Sequence, residues 1–297
     1  MTYEEKLTEL MRENTDLVVL TAENRGPVIY IGEKFPNRFF DIGIAEQSLV
    51  GIAAGFAKMG NKPVIHALAS FLTMRAFEFI RTDVGLSRLP VKIVGTIPGF
   101  LSEANGPTHQ AIEDISLMRA IPGINIFCPA DENEMVKGLP IVLLDDNPWY
   151  VRHNSCRSNY PHEEFVIGKA EVLGEGTNFA IFSYGYMFNE ALKLYEIAQQ
   201  LGVKVRLINM RCLNPYDKEI IIDNVKTCKK IIVIEDHLIK GGLYTIIAET
   251  LLEQGLTCKI RAFCLHNYFK PGKISEILAW EKFSAEDIWA FLEKDNF

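Results

Sequence analysis

The sequence predicts an α/β protein built from two open, mostly parallel α/β sheet domains in series. Three observations lead there. Short apolar runs alternate with segments of helical period along most of the chain. The runs are continuously apolar, as expected for strands covered on both faces. The alternation lapses once, over residues 153–165 (HNSCRSNYPHEEF), and then resumes. That polar, aperiodic stretch is the expected linker, dividing the chain into residues 1–160 and 166–297.

The first series opens with a helix over Thr2–Glu13. Strands follow at Leu17–Leu20, Val64–Leu68, Val91–Gly95, Ile124–Cys128 and Trp149–Arg152. Helices between them are expected near Gln47–Met59, Met74–Asp83, Ile112–Ala120 and Glu132–Leu144. The second series has strands at Phe179–Ser183, Val203–Asn209, Ile231–Glu235 and Lys259–Phe263. Its helices fall near Asn189–Leu201, Asp217–Asn224 and Tyr244–Glu253.

Composition narrows the function classes. The 297 residues are 48% hydrophobic and 23% charged, with a formal net charge of -7. These values fit a globular protein. With no lysine- or arginine-rich run, they argue against a nucleic-acid partner. No apolar run approaches the ~20 residues that span a bilayer. The acidic start MTYEEKLTELMREN lacks the marks of a signal or transit peptide, so a cytoplasmic location is the default expectation. The six cysteines show no C-x-x-C spacing, which argues for reduced thiols.

Three segments could carry chemistry. In RFFDIGIAEQSLVGIAAGFAKMG, Glu46 opens a helix whose apolar face is Leu49, Ile52, Ala53 and Phe56. By spacing alone, Glu46 reads as a first-turn acid that complements the helix dipole. In HALASFLTMRAFEFIRTDV, Phe71, Met74 and Phe77 recur at helical spacing. That stripe reads either as core or as an apolar pocket for a flat ring at a strand end. In NGPTHQ, a Gly-Pro turn projects His109 from a long loop, where a histidine is either solvated or a proton shuttle.

Taken together, these segments resemble the transketolase family. The run FFDIGIAEQ, GFAKMG, ASFLTMRAFEFIR, NGPTHQAIEDISLMRAIPGINIFCPAD and WYVR is similar to its pyrimidine-binding domain. FSYG, NMRCLNP and IEDHLIKGGL resemble its C-terminal domain. The resemblance implies a thiamine diphosphate enzyme in which Glu46 exchanges a proton with the cofactor's aminopyrimidine ring. Burial disfavours the charged form of a carboxyl, which suits that exchange. Phe71, stacking on the ring, and Met74, Phe77 and Ile44 would line the pyrimidine pocket. His109 would face the reacting carbons, moving protons or binding a hydroxyl. Glu23 falls where the family has an acid at a subunit contact.

The family also needs a GDG triplet, followed by an asparagine, to hold the diphosphate and a divalent metal. GDG is absent here. The resemblance therefore implies that the metal, magnesium or calcium, is held mainly by an N-terminal partner subunit carrying GDG. The expected assembly is an α2β2 heterotetramer, with this chain inactive alone and contributing no metal ligand.

Departures from the family bear on the sugar substrate. Ile97 and Ser155 stand where a histidine and an arginine hold the terminal phosphate of pentose phosphates. Asn105 replaces an aspartate that reads a substrate hydroxyl, and an amide both donates and accepts. Arg152 occupies a position that contacts phosphate in deoxyxylulose synthases, and Arg157 could substitute for the missing arginine. The expectation is transfer of a two-carbon ketol unit from a specialised or modified ketose, unphosphorylated or nucleotide-linked, to an aldehyde. A deoxyxylulose-synthase-like or 2-oxoacid-decarboxylating subunit, and a non-catalytic regulatory subunit, remain the alternatives.

Overall fold

The computed structural model describes residues 1–228 and 230–295. Strands of the first half are β1 (Leu17–Thr21), β2 (Phe39–Asp41), β3 (Lys62–Leu68), β4 (Lys92–Thr96), β5 (Asn125–Phe127) and β6 (Trp149–Arg152). The second half adds β7 (Glu171–Leu173), β8 (Phe179–Ser183), β9 (Val205–Asn209), β10 (Cys212–Asn214), β11 (Lys230–Leu238) and β12 (Lys259–Leu265). They form two open sheets with the orders β10-β5-β6-β4-β3-β1-β2 and β12-β11-β8-β9-β7. All pairings are parallel except those of two edge strands: β10 runs antiparallel to β5, and β7 to β9.

The central strands β1, β4, β6 and β8 are buried along their whole length, which fits their mainly apolar content. Helices Tyr3–Glu13, Glu46–Lys58 and Glu132–Leu144 cover the first sheet. Helices Phe188–Gln200, Lys218–Cys228 and Leu243–Gln254 belong to the second half. A capping box closes the first of these helices, where Thr2 accepts from the Glu5 N–H and Glu5 reaches back to Thr2. Among the described residues, no helix is long and apolar enough to cross a membrane.

The sheets depart from the expected division at one place. β10 belongs to the second half by sequence but pairs with β5 of the first sheet. The expected linker also lacks the looseness of one. Asn154, His162 and Phe165 within it are buried. The segment Met74–Asp83 is not a plain α-helix. It consists of wide π turns at Phe71–Arg75 and Ile80–Gly85 around a short helical turn at Phe77–Phe79.

Candidate active site

Parallel strands place all their carboxyl ends on one edge of a sheet, where open α/β sheets bind ligands. Every candidate motif of the first half starts there. β2 leads through Gly43, whose positive φ of 77° turns the chain, into the helix that opens with Glu46. β3 leads into the π turn carrying Phe71 and Arg75, and β4 leads into the loop carrying His109.

These loops bring four side chains together. Glu46 is 2% exposed and sits at the first turn of its helix, where the dipole favours a carboxylate. Arg75 Nη1 donates to Glu46 Oε2 at 2.9 Å. The same guanidinium lies 4.2 Å over the Phe71 ring. The Phe71 ring is 5.1 Å from the half-buried His109 ring. His109 Nδ1 is also 2.9 Å from Thr108 Oγ1.

Sequence reasoning missed Arg75. In MRAFEFIR it reads as one more surface cation on a helix. Phe71 and Arg75 are four residues apart and so share one face of the turn, where the Arg75 guanidinium lies on the Phe71 ring. The ion-pair partner of Glu46 is thus a cation from the next strand's loop.

The remaining candidates fall at different depths. Met74 is 39% exposed and Ile44 is 70% exposed, so both face outward from this edge. Phe77 is half-buried and packs on a core cluster drawn from both halves of the chain. Asn105 is exposed and precedes Gly106, whose φ of 85° lets the loop turn toward His109. Glu23 is exposed, and its N–H donates to Asp41 Oδ1. Arg157 keeps 84% of its side chain exposed and lies 3.7 Å from Glu132.

Arg152 has a different setting. It is 2% exposed and buried between the two halves. Its Nε donates to Asp114 Oδ2 at 3.0 Å and its Nη1 to Asp236 Oδ1 at 2.5 Å. Burial opposes the charge, but the two carboxylates outweigh it and hold the guanidinium protonated. With its donors facing carboxylates inside the protein, Arg152 ties β6 to β11.

One cluster among the described residues has the composition of a metal site: Glu134, His162 and Glu171, all buried. Arg211 already supplies its positive charge, with Nε 2.7 Å from Glu134 and Nη2 2.7 Å from Glu171. A metal ion there would oppose a charge already in place, so the cluster is an ion-paired tie between the halves.

Residues 1–163 match the model of the transketolase pyrimidine-binding domain, and residues 168–288 match that of the transketolase C-terminal domain. The chain belongs to the transketolase family. Among similar transketolase-family proteins is a putative transketolase C-terminal section from Methanocaldococcus jannaschii. It is 34% identical over 96% of this chain and 92% of that protein. Another is the 6-deoxy-6-sulfo-D-fructose transketolase subunit SqwH of Clostridium sp. (strain MSTE9), 32% identical over 85% of this chain and 80% of that protein. A solved structure described as a split gene transketolase, inactive beta4 tetramer, superposes with a TM-score of 0.88 at 31% identity. It covers 98% of this chain and 96% of its own. In this transketolase-family chain, Glu46, Phe71 and His109 stand on the loops that carry the family motifs read from the sequence.

Proposed function

We propose that this chain is the C-terminal subunit of a two-chain, thiamine-diphosphate-dependent transketolase acting on a specialised or modified ketose. The observation that carries the reading is the convergence of Glu46, Phe71 and His109 at one sheet edge, in a chain whose similar proteins include separate transketolase subunits.

The residues present fit the pyrimidine of thiamine diphosphate. The planar Arg75 guanidinium lies against Phe71 and donates to Glu46, which are the two contacts a flat aminopyrimidine would need. When bound, the cofactor supplies a carbanion centre that carries the two-carbon unit between sugars. Glu46 would hold or release a proton at the ring nitrogen, and the Phe71 face would orient the ring. Arg75, with 45% of its side chain exposed, has room to swing off Phe71 while remaining near Glu46. His109 would bind or protonate the substrate oxygen beside the breaking bond. Asn105 would read a sugar hydroxyl as donor or acceptor.

Partner dependence rests on two supports. One is that the sequence lacks GDG. The other is that the site edge exposes Ile44 and Met74, and the Glu46 helix exposes Ile52. Apolar groups gathered in this way suit a covering subunit. The partner would hold the diphosphate and its divalent metal, magnesium or calcium, in an α2β2 assembly. Replacing Glu46 with Ala should reduce ketol transfer by the assembled complex at least 100-fold while the subunits still co-purify. Undiminished turnover in that variant would refute the role of Glu46.

A further inference from the structure

The loop that carries His109 leaves β4 and closes on itself at its root, where the Gly99 N–H donates to Ala111 O at 2.9 Å. Its tip, residues 103–108, is largely exposed, whereas Phe100, Ser102 and Gln110 near the root are buried. The His109 N–H donates to Gly106 O at 2.9 Å, a bond inside the loop that does not fix it to the sheet. A surface loop with few outside contacts opens readily, so holding His109 in place needs contacts from elsewhere.

Those contacts come from the second half of the chain. β12 ends at Leu265, and residues 266–273 lead from it to the helix Ile274–Glu281. Gln110 Nε2 donates to Phe269 O at 2.8 Å, a buried bond. The Phe100 ring meets Phe269 edge-on at 5.1 Å and Phe283 edge-on at 5.2 Å. Just past the loop, Tyr268 Oη donates to Glu113 Oε1 at 2.8 Å. Toward the tip, the Ile274 N–H donates to Glu103 Oε1 at 3.2 Å, and Pro271 stands beside Gly106. Glu103 has a φ of 46°, a conformation that persists in a non-glycine residue only where its surroundings hold it. The loop is therefore gripped at its root, on its tip and just beyond its end by one short segment. Burial of Phe100 alone would pack this corner without any of the polar contacts. Gln110 follows His109 directly in the chain, so fixing the Gln110 side chain fixes the backbone from which the imidazole projects.

We infer that residues 266–273 position His109 for reaction, with Gln110 and Tyr268 as positioning residues that act through His109 and not on substrate. The second half of the chain thereby takes part in the chemistry although Glu46, Phe71 and His109 all lie in the first. This rests on the role given to His109 above. A displacement of about 1 Å in a reacting group costs on the order of 100-fold in rate, so a modest loosening of the loop is enough to slow the reaction.

The test uses the assembled two-chain complex with thiamine diphosphate and magnesium, erythrulose as donor and glyceraldehyde as acceptor, read as pentulose formed. Gln110→Met keeps the side-chain length and removes the donor, and Tyr268→Phe removes an exposed hydroxyl without touching the core. Gln110→Met should lower kcat about tenfold and Tyr268→Phe about threefold. The KM for erythrulose and the thiamine diphosphate Kd, read by quenching of protein fluorescence, should stay within about twofold. Amide hydrogen exchange over residues 103–109 should quicken in both variants. In a His109→Ala background neither change should lower the residual kcat further, because no imidazole is left to misplace. Native kcat in Gln110→Met, or an equal further loss in the His109→Ala background, would overturn the inference and leave the role of His109 standing. Where Gln110→Met fails to assemble, Tyr268→Phe decides the same comparison. Native turnover by His109→Ala alone would remove the role of His109 and this inference with it, and no pentulose from the native complex would remove the ketol-transfer reading as well.

Discussion

Arg152 and Glu46 are both buried charged residues with opposite charge partners, and their settings differ. Arg152 is enclosed by Asp114 and Asp236. Removing one partner of a buried ion pair strands the other charge, at a cost of about 3–5 kcal/mol. Arg152→Met should therefore lower the urea midpoint by that equivalent, whereas a substrate-binding arginine would leave it unchanged and raise KM instead. Glu46 faces Arg75, which is half exposed and free to move. Which of these settings applied was not legible in the sequence. WYVR places Arg152 at a strand end, the position of many ligand-binding residues, and nothing local reveals that Asp236 arrives from the other half of the chain. Glu46, Phe71 and His109 were legible because each follows directly from a strand end in a recognisable motif. Arg75 was not, because its partner Glu46 lies 29 residues away in the chain and no local pattern shows the pairing.

At the scale of elements, the two halves are tied by the segment between β6 and β7. His162 there bonds Asp131, at the start of the Glu132–Leu144 helix, and Glu171 of β7. Burial alone would lower the imidazole's pKa, but the bonds to Asp131 and Glu171 and the charge of Glu134 raise it to about 9. A histidine raised in the folded state contributes stability fully below its unfolded value of about 6.5. That contribution is lost as pH rises through about 9. Melting temperatures of the native chain and His162→Gln should thus differ most at pH 6 and converge by pH 10; a gap independent of pH would contradict the pairing. Glu171 behaves oppositely. Burial opposes its charge, yet the bonds from His162 and the Glu163 N–H and the charge of Arg211 lower it to about 2. Its contribution is present above about 4.5 and lost as pH falls through about 2. The sequence made the inner strands legible, since Val, Ile and Leu runs mark strands buried on both faces. It hid the edge strands β2, β7 and β10, which are three residues each and too short to show a period. It also hid the role of residues 153–165, whose polar composition reads as solvent-facing although His162 is buried.

At the scale of the molecule, the proposed function makes this chain one side of a shared site. Glu46, Phe71 and His109 form a surface that ends in exposed Ile44 and Met74, and the GDG element that would complete it is absent from the sequence. A single subunit should therefore neither turn over sugars nor retain thiamine diphosphate through gel filtration, while the complex should do both. The tie of Arg152 to Asp236 and the crossing of β10 into the first sheet make the two halves one folding unit. Truncation at residue 165 should then leave an insoluble or molten first half, judged by loss of near-ultraviolet circular dichroism. The most direct test of the central claim is ketol transfer measured for this chain alone, for a GDG-containing partner alone, for the two together, and for the pair carrying Glu46→Ala. Two-carbon transfer from a ketose to an aldehyde only in the intact pair, lost with Glu46→Ala, is the expected result. Transfer by this chain alone, or by the Glu46→Ala pair at the native rate, would contradict it.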